Sequence, residues 1–261
     1  MDKFISVQNS EDKINYLFTK NHYLLLLIGL IVIIFFSMYL SRQKHKVQKI
    51  SVFVTALLLL ILEGLRIFWR YKYLQANSMD LSFLNIVNLN FFTLSLWLSL
   101  PLIFISSFKK KKKEPVTGLN FVFSITTIVA IISLIYPQGI NPYFEFYHCY
   151  NLMFTLIRSL VIMLGIFFAI SKWIYVGEFI DHWKGLLWII AFGGICTLLG
   201  KTLGNQTNLF YVDFCPIFES IGMHLGSPWH LIMLGCFMFA FQILLYLPFR
   251  AYRAHKTNRG L

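Results

Sequence analysis

Seven apolar runs, each near the roughly 20 residues that carry a helix across bilayer hydrocarbon, limit what this chain can fold into. They cover approximately residues 23–40, 50–69, 82–105, 119–136, 148–170, 185–203 and 229–249. Only helices and closed barrels satisfy their own backbone in lipid, and runs of this length are helical. The predicted fold is all-α: a polytopic bundle of about seven transmembrane helices. With 57% hydrophobic and 13% charged residues and a mean hydropathy of +0.67, the chain is too apolar for a soluble domain.

The connections carry the charge. Counted in alternate connections, one side of the membrane receives fifteen Lys and Arg and the other six. Positive residues favour the cytoplasm, so the N-terminus is predicted outside and the C-terminus inside a multi-pass cell-membrane protein. The same rule accounts for the net charge of +12, including Lys109 to Lys113, and no nucleic-acid partner is expected. Three segments follow: an N-terminal polar segment 1–22, a single seven-span domain 23–250 and a basic cytoplasmic tail 251–261. The first run ends in Met38 and Tyr39 without a small-residue cleavage site, so it is predicted to be retained. Pro228 and Trp229 suit the start of the last span, and Pro248 is predicted to stop it. The connection 204–228 mixes polar, turn-forming and aromatic residues and could cover one face of the bundle.

Polar residues inside spans need a reason. In a helix, His148, Asn151, Thr155 and Arg158 form one stripe at spacings of three, four and three. Arg158 lies about 15 Å below His148 at 1.5 Å per residue, near mid-membrane, where a charge costs at least about 2.5–3.5 kcal/mol and calls for a partner. Glu63 is the one carboxylate within a predicted span, with Arg66 on the same helix three residues on. A Glu63 bridging both arginines satisfies the most charge. Asn85, Asn88 and Ser95 fall at spacings of three and seven on the third span. Two readings stay open: these residues lock helices together, or Glu63, Arg66, Asn85, Asn88, Asn151, Thr155 and Arg158 line an outer-facing cavity for a phospholipid headgroup.

His148 is the candidate for proton transfer, since an ordinary imidazole serves as acid or base near neutrality. Cys149 follows it, but adjacent residues of a helix point about 100° apart, so the two are not expected to act as a thiol and its base. The four cysteines have no CxxC spacing, and His148, His224, His230, Asp213 and Glu219 show no local ligand pattern. No metal site and no cofactor is predicted.

Several segments together resemble the YwaF-like integral membrane proteins. They are Gly226-Ser227-Pro228-Trp229 with Leu244-Leu245-Tyr246-Leu247-Pro248-Phe249, Glu63 with Arg66 and Trp69, Phe146-Tyr147-His148, and Thr207-Asn208 with Cys215-Pro216. Eukaryotic relatives of that family are regarded as intramembrane, thiol-dependent phospholipid acyltransferases, with a Cys at the start of the third span and a His on the fifth. The resemblance therefore implies phospholipid acyl transfer, with His148 as the acid or base. It also implies a departure: where the bacterial pattern reads Leu-Pro-x-His-x-Cys-Asn-Leu, this chain has Asn85 at the His and Val87 at the Cys. Valine cannot form a thioester. The expected function is acyl transfer assisted by His148 or, alternatively, non-catalytic lipid binding or transport, or service as a membrane partner of another protein. The topology is testable at Cys215: a membrane-impermeant maleimide added outside intact cells should label it, and labelling only after lysis would reverse the orientation.

Overall fold

In the computed structural model, residues 20–108, 118–135, 148–174, 179–203 and 229–258 are described. Each of the seven apolar runs becomes helix. In chain order these are α1 (Lys20–Ser41), α2 (His45–Ala76), a short α3 (Phe83–Val87), α4 (Phe91–Ser107), α5 (Leu119–Ile135), α6 (Cys149–Ile170), α7 (Phe179–Leu203) and α8 (Trp229–Asn258). No strand occurs among the described residues. Four helical stretches are long and apolar enough to cross a membrane: His45–Ala76, Cys149–Ile170, Trp183–Leu203 and Ile232–Phe249. Leu26–Ser41, Phe91–Ser107 and Leu119–Ile135 are shorter apolar helices.

Three boundaries depart from the expected ones. α2 runs on to Ala76, because Arg70 and Lys72 are good helix formers. The expected single helix over 82–105 is broken between α3 and α4 at Asn88, whose φ of 52° and ψ of 55° are left-handed. Asparagine tolerates that conformation better than most residues. α8 passes through Pro248 and ends at Asn258. A proline removes one backbone donor, and the Ala- and Arg-rich sequence after it restores the helix.

α6 is the central element. Tyr150, Phe154, Ile157, Val161, Leu164 and Phe168 recur at helical spacing and are buried where α6 meets α1, α2 and α5. α1 is held to it through a buried hydroxyl: Ser37 Oγ donates to the Met163 carbonyl at 3.0 Å. Much of α1 faces outward, with Leu27 57% and Phe35 64% exposed, as a lipid-facing helix should.

α5 is π-helical from Val122 to Thr127. Thr127 Oγ1 donates to the carbonyl of Val122, five residues back, at 3.0 Å, and the Thr126 hydroxyl pairs with Ser99 of α4 and reaches the Ser95 carbonyl. The hydroxyls thus supply bonds that a widened turn disturbs. Thr127 packs against Gly165 of α6, where a Cβ would overlap its side chain. Gly165→Ala is therefore expected to cost about 1–3 kcal/mol, read as a lower melting temperature in detergent. Adding Thr127→Ala should recover much of the loss, and no recovery would mean the contact is not the cause.

Candidate functional site

α2 presents the charged centre. Arg66 sits one turn beyond Glu63 and forms a two-pronged pair with it: Nε donates to Oε2 at 2.8 Å and Nη2 to Oε1 at 2.7 Å. Each residue is only 4% exposed. Nη2 also donates to the Val87 carbonyl at 2.8 Å. That carbonyl belongs to the last turn of α3 and is freed by the break at Asn88. Trp97 of α4 completes the group, its Nε1–H donating to Glu63 Oε1 at 3.2 Å. The ion pair thereby gains hydrogen bonds from two other elements, which makes its buried charge more tolerable.

Arg158 of α6 approaches the same place from the other side. Its Nε donates to Ser133 Oγ at 2.7 Å and Nη1 to the Phe154 carbonyl at 3.0 Å. The guanidinium carbon lies 4.2 Å from the ring centre of Phe92 and 3.2 Å from that of Phe154. It does not contact Glu63, whose ion pair among the described residues is with Arg66. The expected bridge over both arginines is thus replaced by a Glu63–Arg66 pair, while the contacts of Arg158 include two aromatic faces, a hydroxyl and a carbonyl. The two halves do share a small cavity, lined by Glu63, Arg66, Asn88, Tyr150, Phe154 and Arg158 among others, with about 10 Å³ of room. That is about enough for one water.

The asparagines separate. Asn88 forms the left-handed turn at the cavity wall, and Asn90 caps α4 by accepting from the Thr93 N–H at 3.0 Å. Thr93 Oγ1 then donates to the Asn88 carbonyl at 3.2 Å. Asn85 points elsewhere: its Nδ2 donates to Asp80 Oδ2 at 3.0 Å, and its carbonyl accepts from Arg70. Asn151 is fully buried, and its carbonyl accepts from Thr155 Oγ1 at 3.0 Å. Thr155 therefore bonds back onto its own helix. Asn90, Phe92, Thr93, Trp97 and Ser133 were not singled out from sequence. Trp97 had a signal: an indole N–H at mid-span needs an acceptor.

His148 is not within the helix. With φ −61° and ψ 141° it is the N-cap of α6, and its Nδ1 accepts from the Tyr150 N–H at 3.2 Å, which puts the proton of a neutral ring on Nε2. The ring is 0% exposed and meets Trp69 edge-on at 5.2 Å, in a cluster where Trp69 also contacts Tyr73 and Tyr150. The single stripe therefore loses its first member to an aromatic cluster beside the cavity. Because His148 precedes the helix, the 100° separation from Cys149 does not hold, and Cys149 Sγ lies 4.0 Å from His148 Nδ1. His224, Asp213, Glu219, Cys215 and the segments 146–147, 207–208 and 226–228 lie outside the described residues.

Apolar helices around a buried, hydrogen-bonded ion pair define a helical membrane protein. A family model described as the TMEM164 family matches residues 17–246, and the chain belongs to that family. No curated protein and no solved structure matches it.

Removing one member of the buried pair should be severe, about 3–5 kcal/mol. Glu63→Leu and Arg66→Leu should each lower thermal stability in detergent more than the double variant does. Glu63→Leu with Arg158→Leu should instead come closer to the sum of the single effects. A strongly milder Glu63/Arg158 double would restore the bridge that the geometry lacks.

Proposed function

We propose that this chain binds a membrane phospholipid without transferring its acyl groups. One observation carries the reading. Where the YwaF-like pattern places a nucleophilic cysteine stands Val87, its aliphatic side chain buried and its carbonyl held by Arg66. The charged centre then acts as a clasp joining α2, α3 and α4, with Arg158 of α6 closing the same cavity. His148 serves as a helix cap whose acceptor nitrogen is already engaged.

A second reading has its own support. Cys149 is the first residue of α6 and its sulfur is within 4.0 Å of His148 Nδ1. A thiol beside an imidazole at a helix N-terminus is the pair that acyl transfer through a thioester requires. Acyl transfer through Cys149 would bypass Val87: with Nδ1 released from the Tyr150 N–H, the imidazole takes the thiol proton and the sulfur attacks an ester carbonyl to form a thioester. The imidazolium protonates the leaving lysolipid alkoxide, and a second lipid hydroxyl attacks the thioester, its proton returning through the imidazole to the departing thiolate.

The two readings part in one assay. Purified protein is incubated with defined phospholipid and lysophospholipid mixtures, and acyl exchange is followed by mass spectrometry beside Cys149→Ser and His148→Ala. The binding reading expects no exchange above the lipid-only control. Exchange that falls at least 100-fold in both variants would establish the second reading. Exchange that survives both would remove the pair from the mechanism.

A further inference from the structure

A hollow much larger than the one at the charged centre lies elsewhere in the bundle. Between α7 and α8 lies an apolar groove of about 490 Å³, within the roughly 300–1,000 Å³ range of small-molecule sites. Phe91 of α4 forms its floor, and Ile190, Gly193, Ile232, Gly235 and Met238 are among its walls. We propose that this groove is a binding site for one acyl chain of a glycerophospholipid drawn sideways from the bilayer.

Two glycines make the hollow. Glycine in a membrane helix usually lets a neighbour approach closely, and Gly165 and Gly185 do so, meeting the side chains of Thr127 and Gln242. Gly193 and Gly235 do not: a Cβ built on either meets nothing within 4 Å. Both line the groove, one on each helix. Their entropic penalty within a helix therefore has no close contact to offset it. What they provide is space.

Water is a poor occupant. The lining is almost wholly hydrocarbon, and its hydroxyl, Thr197 Oγ1, is turned back onto the Gly193 carbonyl at 2.8 Å. Apolar cavities that lack polar partners do not hold ordered water. At the mouth, Ile190 is 62% and Ile232 51% exposed, within two of the helices long and apolar enough to span. The medium there is lipid chain itself.

The shape suits a chain. The α7 wall runs from Leu186 to Thr197, about 16 Å at 1.5 Å per residue, and about 490 Å³ along that length has room for a polymethylene chain about 4 Å thick at carbon contact distance. The groove also adjoins the clasp: Phe91 is its floor, while the flanking Asn90, Phe92 and Thr93 line the polar cavity. Those four residues open α4, so the same turn walls both spaces.

The inference rests on the lipid reading for the nature of its ligand, yet the two fail separately. Turnover together with a labelled groove removes binding without transfer and keeps the groove. An inert protein with an unlabelled groove does the reverse. The test uses full-length protein in nanodiscs of phosphatidylcholine doped with a phosphatidylcholine bearing a mid-chain diazirine, irradiated and mapped by peptide mass spectrometry. Wild type should be labelled on α7 and α8 groove residues at least 5-fold above the lipid-facing surface of α1 at Leu24, Ile31 and Phe35. Gly193→Leu and Gly235→Leu, each projecting into open space, should keep the melting temperature and lower groove labelling at least 5-fold, with α1 labelling unchanged. They lie on different helices, so either variant alone decides the matter if the other does not fold. Groove labelling no higher than α1, or unaltered in the filled variants, would overturn the proposal. So would cross-links showing the groove occupied by residues 204–228 or by a second copy.

Discussion

A carboxylate and a guanidinium in the middle of a 32-residue helix set the terms for everything around them. Neither is tolerable in hydrocarbon alone, and their pairing still leaves donors and acceptors over. Those remainders are met from other helices: the Val87 carbonyl takes a third bond from Arg66, and the Trp97 indole gives one to Glu63. One ion pair therefore fixes where α3 must end and how α4 must approach. The left-handed Asn88 is the local consequence, since α3 has to stop there for the Val87 carbonyl to be free.

The same geometry accounts for Val87. Its backbone is part of the clasp and its side chain is packed, so valine serves there through shape. Arg158 then closes the cavity on Phe92, Phe154 and Ser133, without a direct contact to Glu63. The first turn of α4 stands between this closed polar cavity and the open apolar groove of α7 and α8. Groove and clasp are neighbours, and the turn carrying Asn90, Phe91, Phe92 and Thr93 gives each its wall.

Much of this was legible in the residues. Long apolar runs must be helices in lipid, and Glu63 and Arg66 at three residues' separation pair on one helix, so both were readable from spacing alone. Asn88 was harder. Inside an apolar run it reads as part of a polar stripe, and only the demand of Arg66 for a carbonyl turns it into a break. His148 likewise looked like the first rung of a helical face, although its side chain accepts from the Tyr150 N–H and thus stands before the helix. Spacing rules assume a continuous helix, so they fail where a polar side chain interrupts one. The groove was not legible at all. Whether a glycine in a span meets a neighbour or empty space depends on the helix opposite, and Gly165 and Gly193 are indistinguishable in the linear chain.

The central claim is that a phospholipid is held and left intact. Native mass spectrometry of the protein released from phospholipid nanodiscs in the presence of a lysophospholipid acceptor tests it in one spectrum. The expected result is a population carrying one added mass equal to an intact phospholipid, with the polypeptide mass unchanged. A polypeptide heavier by one acyl group, mapping to Cys149, or a protein that retains no lipid at all, would contradict it.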